Sequence, residues 1–301
     1  MKPRIALTVG DPAGIGPEIV AAAAAAADVR ATCEPVVYGP SPDEARARFT
    51  PGRVSAESGR AAFDTLVDAV RAAQRGAVDA IATGPVSKEA FAAAGLPWKG
   101  HTDLLGHLTG ASQVAMMFYS EPLRVVLATV HVPLREVPAL VTTDTVLSLL
   151  RLTRASLPAF GYPDPRIAVA GLNPHAGEHG LMGHEDDEVI APVVATARGE
   201  GIRVDGPIPG DTVFLRAVRG EFDVVLATYH DQGLIPVKLL AFGTSVNVTL
   251  GLPIIRTSVD HGTAFDIAGR GLADAGSMKS ATLLAARLVR ARAGHAADPT
   301  R

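Results

Sequence analysis

The sequence has one cysteine, Cys33, in 301 residues. An internal disulfide is therefore impossible, and a cysteine-based zinc finger is excluded. Phe, Trp and Tyr together make up only 5%, which argues against the stacking platforms that hold single-stranded nucleic acid. Neither sign of charge is in excess, since 28 basic and 31 acidic residues give a net charge of -3. That leaves no basic footprint for nucleic acid and no polybasic signal for a membrane surface. No apolar run approaches the roughly 20 residues of a membrane span. IVAAAAAAA at 19–27 is too short and too weakly hydrophobic. MKPRIALTVG runs from a charged start straight into a short strand and a Gly/Pro turn, unlike a signal peptide. What is present is a chain 48% hydrophobic and 20% charged, enough for a large core. The expectation is a soluble, cytoplasmic α/β protein.

Strand and helix patterns alternate. RIALTVG, CEPVVYG and VDAIATGP read as strands, with PEIVAAAAAAAD as a helix that has Pro17 at its start. Residues 60–76 put Ala62, Phe63, Leu66, Val67 and Val70 on one helical face. QVAMMFYS and LRVVLATVH, joined by EP, predict an antiparallel hairpin. PRIAVAGLNPH, DVVLATYH and TSVNVTLGLP predict further strands, the first two ending in His175 and His230. Residues 142–157 predict an amphipathic helix. HEDDEVIAPVVATARGEG predicts a helix whose first-turn acids suit its dipole. The pattern implies a mostly parallel sheet with some antiparallel pairing, in two domains.

Three of the nine histidines follow β-rich apolar runs: His131, His175 and His230. If those strands lie side by side, three imidazoles can converge at one sheet edge. Neutral imidazoles bind Zn, Co or Ni and leave positions open for substrate. A histidine at a strand end can also simply be hydrogen-bonded there, and no local metal spacing supports the cluster. His179 and His184 sit in a Gly-rich loop and are expected to face solvent. Asp231 follows His230 directly, and Asp211 begins a predicted helix, where it could be a cap, orient a metal ligand or handle a proton. A second group suits an anionic ligand: His101 and Thr102 in GHTD, Lys238, Asn247 and Arg256. The plain alternative is that these cations make structural ion bridges. VGDPAGIGPE and DHGTAFDIAGRG are Gly-rich turns. The first suits phosphate at a helix start, but it is neither GxGxxG nor a P-loop. No G-x-S-x-G nucleophile motif occurs.

GDPAGIGPE, GHTD, LNPHAGE, YHDQG, VNVTLGLPIIRTS and DHGTAFDIAG occur in that order. With them the chain resembles the 4-hydroxythreonine-4-phosphate dehydrogenase family of pyridoxal phosphate biosynthesis, from about residue 4 to about residue 290. The resemblance implies a two-domain α/β fold similar to isocitrate and isopropylmalate dehydrogenases, with mixed, mostly parallel sheets flanked by helices. It implies a first domain of 1–100 plus 262–301 and a second of 101–261 that carries the metal ligands. It places the active site in the cleft and at a dimer interface. His131, His175 and His230 match the family's divalent-metal ligands. His101, Thr102, Lys238, Asn247 and Arg256 match its substrate contacts. The family is a homodimer that uses NAD or NADP with Zn, Mg or Co, and a three-His site suits Zn or Co better than Mg. Many members read GHTE where this chain has Asp103. No cofactor-binding residue is assigned.

The reaction implied is metal-dependent oxidation of 4-phosphohydroxy-L-threonine to a β-keto acid, which decarboxylates to 3-amino-2-oxopropyl phosphate. Asp211, Asp231 or Lys238 serves as the base or its orienter, and the sequence does not choose among them. Relatives sharing these motifs oxidise 4-phospho-D-threonate, 4-phospho-D-erythronate or a dihydrodiol dicarboxylate. The three histidines alone would equally suit a metal-dependent hydrolase.

Overall fold

Short runs of β-branched and apolar residues build the strands of two α/β units, in a computed structural model that describes residues 2–296. In chain order the strands are β1 (Arg4–Thr8), β2 (Glu34–Tyr38), β3 (Ala80–Thr83), β4 (Ala115–Tyr119), β5 (Arg124–Leu127), β6 (Ile167–Ala170), β7 (Val204–Ile208), β8 (Val224–Ala227), β9 (Val246–Leu250) and β10 (Arg256–Ser258). The longer helices are α1 (Gly16–Ala25), α2 (Ala56–Gln74), α3 (His101–Thr109), α4 (Thr143–Ser156), α5 (Ala191–Gly199), α6 (Gly210–Val218), α7 (His230–Ala241) and α8 (Gly276–Ala296). Among the described residues no helix is long and apolar enough to cross a membrane.

The first unit comprises residues 1–114 and 243–301. Its strand order is β2-β1-β3-β10-β9. All neighbours are parallel except β10 and β9. Apart from exposed Arg4, β1 and β3 are buried on both faces, as strands inside a parallel sheet are. Leu66 and Val70 of α2 pack on Ile81 of β3 and on Leu104 and Leu105 of α3. Burial of each such side chain contributes roughly 1.5–3 kcal/mol.

The second unit comprises residues 115–242. Its order is β4-β5-β8-β6-β7, with β4 and β5 forming the expected antiparallel hairpin and the remaining neighbours parallel. Val125 and Leu127 of β5, Val225 and Ala227 of β8, and Leu234 and Val237 of α7 share one core.

These bounds differ from the expected 1–100 with 262–301 and 101–261. Residues 101–109 form a helix whose Leu104 and Leu105 are buried in the first unit's core. β10 pairs with β3, and Leu252 and Ile254 pack on the same core. His101, Thr102, Asn247 and Arg256 therefore belong to the first unit.

Candidate active site

In the second unit, β5 and β8 are parallel neighbours, so their carboxyl ends emerge together. The chain beyond β5 stays fastened to β8. Ala128 N–H donates to Ala227 O at 2.8 Å, and the Thr129 hydroxyl donates to Thr228 O at 2.9 Å. The next residues carry His131 and His230 to within 5.4 Å, ring centre to ring centre. His230 does not end a strand, as the sequence pattern predicts, but is the first residue of α7. His131 lies in left-handed backbone with φ 51°. That conformation costs a non-glycine residue on the order of 1–3 kcal/mol and clusters at functional positions. The pair borders a cavity of about 320 Å3 lined by Thr129, Val132, Leu134, Val137, Tyr229 and Asp231 among others.

Asp231 stands beside His230, with Oδ1 2.7 Å from Nδ1. A carboxylate there favours the tautomer with the proton on Nδ1. The lone pair is then on Nε2, as a metal ligand or proton acceptor requires.

His175 follows β6, the neighbour of β8. It sits in a turn over Pro174–Gly177 with φ 52°, and Ala176 has φ 54°. Its side chain is exposed and makes no ring contact with the other two histidines. Among the described residues no three His, Cys, Asp or Glu side chains stand close enough to hold a metal ion. Two of the three predicted imidazoles are thus brought together, and the third lies on the adjoining strand end. The donors are nitrogenous and suit Zn or Co in kind.

Two residues that sequence reasoning did not connect with the histidines hold this region. Asp186 was expected to be one of several acids serving a helix dipole. Instead it is fully buried, and its carboxylate accepts the Leu172 and Asn173 backbone N–H groups at 2.8 and 3.0 Å. Gln232 accepts from Thr228 N–H at 2.8 Å and donates to Gly171 O at 2.7 Å. Neither partner is visible before the strands are assembled.

Asp211 is exposed in the first turn of α6 and caps nothing, since the cap position is Pro209. Lys238 on α7 holds its ammonium 5.6 Å from the centre of the Phe242 ring, just past the helix end. His179 and His184 are exposed, as expected.

In the first unit, Arg256 is 2% exposed. Its guanidinium donates to Thr83 Oγ1 at 3.2 and 2.7 Å and to Thr249 Oγ1 at 2.9 Å. Among the described residues no carboxylate pairs with it, so the structural ion bridge considered for this residue does not form. Burial pushes its pKa down to about 9. His101 Nε2 is buried with no partner. Burial, and then the Arg256 charge, hold that imidazole well below its ordinary pKa, so it is neutral. Asn247 Oδ1 is also buried without a partner, and Asn247 shares a face of β9 with Thr249. Thr102 follows His101 in the first turn of α3. Asp103 Oδ2 accepts Lys99 N–H at 2.5 Å and so braces the start of that helix.

The two Gly-rich turns pack on one another. Ile15 N–H donates to Thr263 O at 3.0 Å, and Gly269 N–H donates to Glu18 Oε1 at 2.6 Å. A Cβ on Gly16 would lie 1.7 Å from Val9 O, so this glycine serves a close approach of backbone to backbone. His261 in the second turn has a buried Nε2 without a partner. Its flanking Asp and Gly residues give no signal that would single it out from sequence.

Parallel-stranded α/β units that bring polar side chains out just past their strand ends are an architecture typical of small-molecule enzymes. Comparison with known proteins is more specific. The family model described as pyridoxal phosphate biosynthetic protein PdxA matches residues 16–285. The 4-hydroxythreonine-4-phosphate dehydrogenase of Geobacter metallireducens is 45% identical over 99% of this chain and 99% of its own. The D-threonate 4-phosphate dehydrogenase of Cupriavidus necator is 42% identical over 97% of this chain and 98% of its own. The crystal structure of 4-hydroxythreonine-4-phosphate dehydrogenase from Klebsiella pneumoniae superposes with a TM-score of 0.85 at 41% identity, covering 96% of this chain and 98% of that one. The chain belongs to the PdxA family, whose matched relatives carry the names of oxidoreductases.

Proposed function

We propose that the protein oxidises 4-phosphohydroxy-L-threonine with NAD or NADP, giving a β-keto acid that decarboxylates to 3-amino-2-oxopropyl phosphate in pyridoxal 5'-phosphate biosynthesis. The observation that carries this reading is Arg256. A buried guanidinium held only by hydroxyls costs several kcal/mol of lost hydration unless an anion joins it, and the named substrate has both a phosphate and a carboxylate. Neutral His101 and Asn247, each with an unused buried atom, supply further hydrogen bonds to the same ligand. Thr102 joins this set in the same reading, and Lys238 of the second unit keeps the substrate-contact role that the family resemblance implies.

His131, His175 and His230 are the residues that would hold a divalent metal, Zn or Co in preference to Mg. The left-handed backbone at His131 and His175 supports this, as does the pairing of His131 with His230. The reading requires the exposed His175 ring to turn toward that pair. When bound, such an ion supplies Lewis acidity at the substrate hydroxyl and at the enolate of decarboxylation, and the nicotinamide supplies the hydride acceptor. Asp231 keeps the His230 proton on Nδ1. The hydroxyl proton passes to a base drawn from Asp211, Asp231 and Lys238, and Asp211 has the fewest structural ties.

The protein works as a homodimer in this reading. α7 exposes Ile235 at 66% and Leu239 at 84%, and Phe242 just beyond it is 80% exposed. An apolar row of this kind fits a second copy.

Oxidation of 4-phospho-D-threonate is the second reading, favoured by the Cupriavidus necator relative. Reduction of the nicotinamide should be followed with 4-phosphohydroxy-L-threonine, 4-phospho-D-threonate and 4-phospho-D-erythronate, with and without added Co or Zn. Fastest turnover of the first, lost with chelator, supports the vitamin-pathway reading. Preference for either of the others moves the protein to sugar-acid catabolism. Turnover without any nicotinamide change, by hydrolysis, overturns both.

A further inference from the structure

We propose that Thr83 is a positioning residue for Arg256: its hydroxyl holds the guanidinium by one edge and leaves a terminal pair of N–H groups for the substrate's anion. The inference rests on the reading of Arg256 as a substrate contact. Every residue it uses lies in the first unit.

Arg256 opens β10 opposite Ile81 of β3, whereas Thr83 stands opposite Ser258, two residues further on. Residues two apart in a strand share a face. The arginine side chain therefore leans along that face toward the carboxyl ends of β3 and β10, the ends at which α/β sheets meet their ligands. A long, flexible side chain is not held in that direction by its own rotamers. Thr83 holds it there. Nε and Nη2 donate to Thr83 Oγ1 at 3.2 and 2.7 Å, and Nη1 donates to Thr249 Oγ1 at 2.9 Å. Arg256, Thr83, Thr249 and Ser258 are all buried. Three of the five guanidinium N–H donors are used in this way, and one is left on each terminal nitrogen. Those two are the groups that meet an incoming carboxylate or phosphate.

The Thr83 hydroxyl has one proton and two lone pairs. Arg256 occupies its acceptor side, so the proton must point elsewhere. It points to Ser258 Oγ at 2.9 Å, in preference to Thr257 O at 3.4 Å. The Ser258 hydroxyl donates in turn to Thr83 O at 3.3 Å. The bonds run in one direction from Arg256 through Thr83 to Ser258, and each hydroxyl has its proton engaged. Thr83, Ser258 and Asn247 also form one row across β3, β10 and β9. Asn247 at the end of that row has the buried, unused Oδ1. The held cation and the unused acceptor thus share one face of the sheet.

The test is steady-state kinetics with whichever of the three phosphorylated acids turns over fastest, with melting temperature as the control for folding. Thr83→Val keeps the shape and removes the hydroxyl. It should raise KM about tenfold to hundredfold with kcat changed far less, and Thr83→Ser should restore KM. In the Arg256→Met background, Thr83→Val should leave KM where Arg256→Met alone puts it, because no guanidinium remains to be aimed. If Arg256→Met itself keeps the unaltered KM, the reading of Arg256 as a substrate contact is wrong. If Arg256→Met raises KM while Thr83→Val lowers only the melting temperature, Thr83 is structural and the inference is overturned. Equal rises in KM from Thr83→Val in both backgrounds overturn it as well, since Thr83 would then act without the arginine. Should Thr83→Val fail to fold, Thr83→Ala, which leaves room for water beside the guanidinium, takes its place in the cycle.

Discussion

Arg256 donates through both Nε and Nη2 to a single hydroxyl, Thr83 Oγ1. A bidentate fork of this kind is shaped for a carboxylate or phosphate, and here it rests on a neutral oxygen. Removing the charge takes away a desolvation cost that the Thr83 and Thr249 hydroxyls offset only in part. Arg256→Met should therefore melt at or above the unaltered temperature while KM rises about tenfold to hundredfold, the worth of a hydrogen bond to a charged group. A lower melting temperature with unchanged KM would show that the arginine is structural.

The same residue sets an upper pH limit. Its pKa is about 9 in the free protein. An anionic substrate binds the protonated form, so kcat/KM should hold below about 9 and fall above it. In Arg256→Lys the fall should shift, because the titrating group has changed.

His101 gives stability a lower limit. Its folded-state pKa lies well below the ordinary value because it is buried beside Arg256. The unfolded chain then binds a proton below about pH 6.5 that the folded chain refuses. The stability is fully present above that pH and is lost as pH falls, at up to about 1.4 kcal/mol per unit. Denaturant unfolding between pH 7.5 and 5 should show this slope. His101→Gln should flatten it.

Gly233 lies where α7 crosses β5 and β8. A Cβ there would meet Leu127 Cδ2 at 2.6 Å and Val125 Cγ1 at 2.8 Å, both in the core. Alanine would favour the helix locally, yet Gly233→Ala should destabilise by about 1–3 kcal/mol through overpacking. Thermal unfolding measures this, and a raised melting temperature would contradict the close approach.

The left-handed backbone at His131 and His175 makes each a site where activity opposes stability. Glycine adopts that conformation without cost. His131→Gly and His175→Gly should each unfold at higher denaturant, by about 1 kcal/mol, while turnover is lost. Loss of stability in both would remove strain from the account.

Much of this was legible in sequence because strand ends announce themselves. VVLATV before His131 and VVLATY before His230 mark apolar strands whose next polar residue must emerge at an edge. Arg256 stood out because a cation in so apolar a stretch needs a reason to be there. What sequence could not give was tertiary. An acid in a first helical turn reads the same whether it faces water or, like Asp186, is buried in a coil of backbone. Asp211 looked like a cap because caps are short and polar, but Pro209 occupies the cap position and Asp211 lies inside the first turn. The bounds of the compact units differ from the expected ones for a related reason. Leu104 and Leu105 reveal their core only once β3 and α2 are in place, and no linker composition marks the true divide.

His230, Asp231, Gln232 and Gly233 open α7 and point four ways: toward His131, back to His230, across to Gly171, and against β5. Successive helical residues differ by about 100° of rotation, so four neighbours can address four separate surroundings. A substitution at one position disturbs one of these contacts, whereas a change of phase disturbs all of them. One residue inserted after Tyr229 would rotate the whole set. The imidazole, its carboxylate, the amide bridge and the gap in the packing would all be misdirected in a single step.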